Sequence, residues 1–161
     1  MRRRFFMLAS AAALSGCGFQ LRQPPTFVFN TLYVTSASPI GNELKRTIGS
    51  TGQVTVLPDA QATTAQVVLD VLDERREKVV VGLNASGQVR EFQLRTRLRF
   101  RLRTPGGKEL VPPTELLQQR DISFSESAVL SKEAEENLLY REMQTDLVQQ
   151  LMRRLAAIKV I

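Results

Sequence analysis

Histidine and tryptophan are absent from this chain of 161 residues, and cysteine occurs once, at Cys17. A single thiol excludes an intramolecular disulfide and any multi-cysteine metal site. Without histidine, Ser/His/Asp and Cys/His catalysis and most transition-metal centres are excluded too. No glycine-rich phosphate loop and no nucleophile–base set is present. Scattered Asp and Glu leave a glycosidase-like carboxylate pair as the one enzymatic alternative, and the chain reads as a non-enzyme without metal or cofactor. No apolar run reaches the ~20 residues of a membrane-spanning helix. What remains is an ordinary globular mixture, 43% hydrophobic and 24% charged, with 22 basic and 16 acidic side chains. The length is that of one domain.

The N-terminal "MRRRFFMLASAAALSGC" has three arginines followed by an apolar run from Phe5 to Leu14. That layout is a secretory signal. It ends in Leu14-Ser15-Gly16-Cys17, which resembles the lipobox of bacterial lipoproteins. The resemblance implies cleavage before Cys17, diacylglycerol on its thiol and acylation of the new amine. Residues 1–16 are thus expected to be a removed signal peptide, 17–30 a lipidated tether and 31–161 a single domain. The lipid on Cys17 would be the only covalent group. Several acyl chains anchor firmly where one binds marginally. Gly18, rather than Asp, follows the cysteine, which by the same resemblance favours the periplasmic side of the outer membrane. Loss of Arg2, Arg3 and Arg4 lowers the net charge from +6 to +3. A balance so mild suggests no nucleic-acid partner.

The rest of the chain carries clear periodicities. "TLYVTS" alternates Leu32 and Val34 against Tyr33, as a strand does. Ser38-Pro39 has the form of an N-cap and first helical residue, and Ile40, Leu44 and Ile48 share one helical face. A short strand at 53–58 follows, then a long extended segment over about 65–83, a tight turn at Asn84–Gly87 and a second long strand over about 88–104. Pro105-Gly106-Gly107 turns the chain into a strand near 116–125. Ser131 is placed to cap a final helix ending near Ile158. Glu133, Glu135 and Glu136 would then load its first turn. Leu139, Met143, Leu147, Leu151 and Leu155 form its apolar seam, beside Val148 and Met152. This order predicts an α+β two-layer sandwich, with about four main strands and two helices on one face.

One strand has two unlike sides. In "FQLRTRLRFRLRT", residues 92–104, Phe92, Leu94, Leu98, Phe100 and Leu102 alternate with Arg95, Arg97, Arg99, Arg101 and Arg103. The apolar side is expected to meet the helices. The arginine side, roughly 27 Å long from the strand rise, is the uncovered face. A turn centred on Ala85-Ser86 sets Arg97 opposite Glu74, Arg101 opposite Asp70, Arg99 opposite Leu72, Arg103 opposite Val68 and Arg95 opposite Arg76. A bulge would shift that count. The same register puts Asp73 and Arg75 on the apolar side. Three readings of the stripe stand: a solvated face, a protein interface and a site for an anionic lipid or phosphate. Arginine suits flat bidentate interface contacts.

A second constellation follows from strand direction. Antiparallel pairing returns the end of the last strand to the start of the stripe strand. Arg90, the 84–87 turn, the 125–131 loop and Lys132 then meet at one tip, beside the N-terminal end of the last helix. Two cations there suit a phosphate. The plain alternative is two exposed charges at a loop-rich end.

Taken together, "LSGCGFQLR", "PIGNELKRTI", "SGQVREFQL" and "SKEAEENLLYREMQTDLVQQLMRRL" resemble the lipopolysaccharide-assembly lipoprotein family, LptE, of Gram-negative bacteria. The resemblance spans essentially the whole mature chain and rests on the order and spacing of short motifs. It implies a plug inside an outer-membrane β-barrel partner, LptD, together with help in barrel assembly and binding of lipopolysaccharide on its way to the outer leaflet. It implies the same two-helix, four-stranded fold. It also makes the tip the lipopolysaccharide-binding end, with Lys132 at a matching basic position. Ala85 departs from a basic residue of the family, and Arg90 is the nearby candidate to replace it. The stripe is then a wet face turned toward the barrel wall, with Asp70 and Glu74 as its partial counter-charges.

Overall fold

The structure, a computed structural model, describes residues 25–161. Cys17, the signal segment and residues 17–24 of the expected tether lie outside the described residues. The described part of that tether is packed, with Phe29 fully buried in the core and its ring 5.4 Å from that of Phe27.

Five strands form one sheet in the order β2-β1-β3-β4-β5. They are β1 (Thr31–Val34), β2 (Thr55–Val56), β3 (Val67–Leu83), β4 (Val89–Arg103) and β5 (Glu109–Ser123). β1 runs parallel to both neighbours, and β3-β4-β5 is an antiparallel meander. Two helices, α1 (Pro39–Gly49) and α2 (Val129–Ala156), pack on one face. The expected α+β two-layer sandwich is therefore the observed one, with the two-residue β2 as a fifth strand. β5 begins earlier than its apolar pattern suggested, because Pro112 and Pro113 sit on an edge strand, where a missing N–H costs no ladder bond.

α1 follows from local chemistry. Ser38 Oγ accepts the N–H of Gly41 at 3.1 Å, Pro39 opens the helix, and Ile40, Leu44 and Ile48 are buried. Burial of each such side chain contributes about 1.5–3 kcal/mol. α2 corrects the expected start. It begins at Val129, after a 3-10 turn at Glu126–Ala128, and no side chain caps it. Ser131 lies inside the helix, where its Oγ donates to the Ala128 carbonyl at 2.8 Å. Glu133, Glu135 and Glu136 consequently fall beyond the first turn. The seam of Met143, Leu147, Leu151 and Leu155 is buried as its spacing demands, with Tyr140, Val148 and Met152 beside it.

The core has two parts. The larger joins Phe29, Leu32, Val34, Ile40, Leu44, Ile48, Leu69, Leu98, Phe100 and Leu102 to the second half of α2. A smaller cluster of Leu94, Ile122, Tyr140 and Met143 lies toward the hairpin end. On β4 the residue between Leu94 and Leu98 on that face is Thr96, which is buried; its Oγ1 has no hydrogen-bond partner, and neither has the buried Glu74 Oε2.

The β3–β4 register also differs from the uninterrupted one. Val68 opposes Arg103 and Asp70 opposes Arg101, as the turn position predicts. A bulge at Leu72 then shifts every later pair. Asp73, Arg75 and Glu77 oppose Arg99, Arg97 and Arg95, whereas Glu74, Arg76 and Lys78 oppose Leu98, Thr96 and Leu94. A one-residue insertion in one strand exchanges its faces beyond that point. Glu74 is therefore not a counter-charge of the stripe, and Asp73 and Arg75 do not lie on the helix side. α2 gives the exchange a physical reason. On its side Arg76 donates to Gln144 at 2.8 Å and lies 5.2 Å from the Tyr140 ring centroid, while Lys78 pairs with Glu136 at 2.6 Å. On the other side Arg95 opposes Glu77 instead of a second arginine.

Candidate functional site

One end of the sheet, where the β3–β4 hairpin turns and β5 finishes, defines the candidate site. Asn84–Gly87 closes the β3–β4 hairpin: Asn84 Oδ1 accepts the N–H groups of Ser86 and Gln88, and Gly87 takes φ +79. At the same end β5 runs into the 3-10 turn and α2. The Phe124 N–H donates to the Arg90 carbonyl at 2.7 Å, which holds the 124–129 connection against the start of β4. Arg90 meets the 125–131 loop as predicted, but the structure does not bring Arg90 and Lys132 into one site.

Arg90 and Lys132 line different depressions. Arg90 is exposed and shares its hollow with Gln88, Ser125, Glu126 and Ser127. Lys132 lines a cavity of about 70 Å³ with Lys78, Phe92, Ile122, Phe124 and Val129. Phe92 meets Phe124 edge-on, with centroids 5.4 Å apart, and Lys78 Nζ stands 4.4 Å from the Phe92 ring centroid. Lys132 Nζ donates to Ser123 Oγ at 2.9 Å and to Glu135 Oε2 at 2.8 Å. The arrangement is two ammonium groups beside an aromatic floor, each paired with a glutamate of α2, and Glu133 and Glu136 line the same cavity. Lys78 is the cation that sequence reasoning missed. It reaches the helix side only because the bulge at Leu72 turns it there.

Close by, the Tyr140 hydroxyl donates to the Glu77 carbonyl at 2.9 Å, tying α2 to β3. Burial pushes the Tyr140 phenol up, and the Glu136 carboxylate adds to that effect.

The arginine stripe occupies the other face, as its alternation requires. Its counter-charges come from both neighbouring strands. Asp70 Oδ2 accepts from Arg101 at 2.7 Å and Arg103 at 2.8 Å. Arg97 reaches Glu77 at 3.6 Å and Glu115 at 3.2 Å, and Asp73 is taken by Arg75. Arg95 donates to Gln93 at 2.8 Å. Among the described residues, Arg95 and Arg99 make no ion pair. The stripe is thus more nearly neutralised than two carboxylates would leave it, with Arg99 exposed at its middle. At the β1 end this face also carries Tyr33. Burial and the neighbouring Asp59 carboxylate push its phenol up.

The family model described as "LptE: Lipopolysaccharide-assembly" matches residues 29–155. The chain belongs to the LptE family. It is 30% identical to the LPS-assembly lipoprotein LptE of Pectobacterium atrosepticum over 166 aligned residues, covering 98% of this chain and 88% of that protein. The LptE of Photorhabdus laumondii is 29% identical with the same coverage. Among solved structures, an uncharacterized lipoprotein B from Nitrosomonas europaea is similar at 34% identity and TM-score 0.75, covering 87% of this chain and 91% of that one. The rare lipoprotein B of Shewanella oneidensis shares the fold at TM-score 0.66 and 22% identity, covering 80% and 95% of the two chains. The LptE match runs from the core residue Phe29 to Leu155 and so takes in both the stripe and the tip. Among the described residues no helix is long and apolar enough to cross a membrane, and no cluster of three or more acidic, Cys or His side chains is placed to hold a metal.

Proposed function

We propose that this LptE-family chain is a lipoprotein anchored through Cys17 at the periplasmic side of the outer membrane. There it seats as a plug in an LptD-type β-barrel, assists that barrel's assembly and binds lipopolysaccharide during its transfer to the outer leaflet. Family membership supports the process, since the curated relatives carry the name LPS-assembly lipoprotein. The observation that carries the ligand end is Lys132, held at the mouth of an aromatic-floored cavity at one tip. Arg90 lines a neighbouring hollow with Ser125, Glu126 and Ser127. The phosphates of lipopolysaccharide fit ammonium and guanidinium donors by charge-assisted bonds. At about 70 Å³ the cavity is well below the ~300–1,000 Å³ of a typical small-molecule pocket. It suits one anionic group and the first atoms behind it, so recognition is of the head region.

The stripe Arg95, Arg97, Arg99, Arg101 and Arg103 would face the barrel wall. A mosaic of charges half-shielded by its own carboxylates is compatible with a polar, wet lumen. The alternative role, an envelope lipoprotein that carries an anionic lipid without a barrel, differs in its partner. Detergent extraction of the tagged protein from its native membrane, with mass spectrometry of what co-purifies, separates the two. A barrel protein several times this chain's size is the expected result. One stoichiometric lipid and no barrel would overturn the plug.

The ligand end has its own test. Lys132→Asp with Arg90→Asp should weaken lipopolysaccharide binding while leaving the melting temperature nearly unchanged, and unaltered binding would refute the tip.

A further inference from the structure

Both cations of the aromatic-floored cavity are already occupied. Lys78 Nζ lies 2.6 Å from Glu136 Oε2, and Lys132 Nζ lies 2.8 Å from Glu135 Oε2. Glu133 lines the same cavity, so two ammonium groups face three carboxylates. With these pairs closed the cavity does not attract anions by net charge. A phosphate entering it must take a lysine from a glutamate. Resting on the reading of the tip as an anion-binding end, we propose that Glu135 and Glu136 are place-holders. They neutralise Lys132 and Lys78 in the empty site and are displaced by the anionic group of the ligand. Lys78 is on this account a second ligand-binding cation.

The two pairs differ in how readily they open. Glu135 is 47% exposed and sits three residues from Lys132 on the helix surface. Such exposed pairs are weak, so Glu135 swings into water at small cost. Glu136 is 21% exposed and Lys78 37%. Lys78 also rests on the Phe92 ring, which holds its ammonium in place when the carboxylate leaves. Ser123 does the same for Lys132 through a 2.9 Å hydrogen bond. The cations are thus fixed by neutral partners, and the anions are the exchangeable members. The consequence is moderate affinity: the ligand is held, but its release is assisted by carboxylates waiting beside it. A protein that passes an amphiphile onward needs both.

The test is equilibrium binding of purified lipopolysaccharide, with dephosphorylated lipopolysaccharide as a control, to the full chain and its variants. Glu135→Gln and Glu136→Gln keep the shape and remove the competing charge. Each should tighten binding about two- to fivefold, from the worth of a surface or half-exposed ion pair, and the double variant should tighten it further. The gain should fall with added salt and vanish with the dephosphorylated ligand. Glu142→Gln, the same charge change on α2 beside Arg120 and Arg141, should leave binding unaltered. Lys78→Gln should weaken binding as much as Lys132→Gln. If the wild-type chain binds and the glutamine variants bind equally or more weakly, the place-holder role is overturned while the tip stands. A tightening matched by Glu142→Gln would overturn it too, as a mere net-charge effect. If the wild-type chain shows no saturable, phosphate-dependent binding, the tip reading itself falls.

Discussion

Arg103 donates its Nε–H to Asp70 Oδ2 at 2.8 Å across the β3–β4 pair, and the same oxygen accepts from Arg101 at 2.7 Å. Asp70 is one of only two buried polar or charged residues among those described. Burial by itself would push its carboxyl up, but the hydrogen bonds and charges of Arg103 and Arg101 outweigh it and hold the group below the usual carboxylate range. A carboxyl lowered by folding stabilises the fold above its unfolded value and loses that contribution as pH falls through the folded one. Asp70→Asn should therefore cost about 1–3 kcal/mol at neutral pH, the worth of hydrogen bonds to a charged group. The gap between variant and wild type should close below the ordinary carboxylate range. Denaturant titrations at neutral and strongly acidic pH read this out.

Thr96 presents the opposite case. Its hydroxyl is buried without a partner on the helix face of β4. Thr96→Val removes an unsatisfied polar atom at nearly constant volume and keeps the β-branched shape that strands favour. The variant should gain about 1 kcal/mol, the lower end of the cost of an unmade bond. A loss of stability in chemical unfolding would mean that the hydroxyl is satisfied by water.

Arg97 and Arg99 separate partner binding from stability. Arg99→Glu removes no ion pair but sets a carboxylate opposite Asp73 and Glu115, so its stability should fall by no more than about 1 kcal/mol. Arg97→Glu breaks contacts to Glu77 and Glu115 and should be measurably less stable. If the stripe faces the barrel wall, both variants should co-purify with less partner. Full recovery of the partner by folded Arg99→Glu would place the wall elsewhere.

Cys17→Ala should release the protein from the membrane fraction and leave its melting curve intact, because the packed chain includes Phe29 but needs no lipid. Acyl-mediated attachment that persists in this variant would exclude the lipobox reading.

Much of this was legible in the chain. Ser38-Pro39 announces α1 because a hydroxyl acceptor and a fixed φ act locally. The 3.6-residue seam of α2 and the two-residue alternation of β4 name their own buried faces. The stripe is legible for the same reason: alternation separates Phe100 from Arg101 whatever the partner strand does. Less legible was the β3 side of the pairing. Counting from the turn fixed Asp70 opposite Arg101 but placed Glu74 and Arg76 on the wrong face, since nothing in "LDVLDERREK" marks Leu72 as the residue that steps out of the ladder. The start of α2 was missed for a similar reason, as Ser131 has the chemistry of a cap but the chain was already helical two residues earlier.

The sequence alone determined the elements, the layer they form and the two-sided character of β4, because these depend on short-range periodicity and local hydrogen bonding. Only the tertiary structure decided which charges meet. The bulge at Leu72 exchanges the faces of β3, and α2 offers Glu136, Tyr140 and Gln144 to the cations that arrive. The fold sets Arg90 and Lys132 in different depressions and gives Lys132 a new neighbour in Lys78. Such pairings depend on long-range register, where one inserted residue outweighs any local preference.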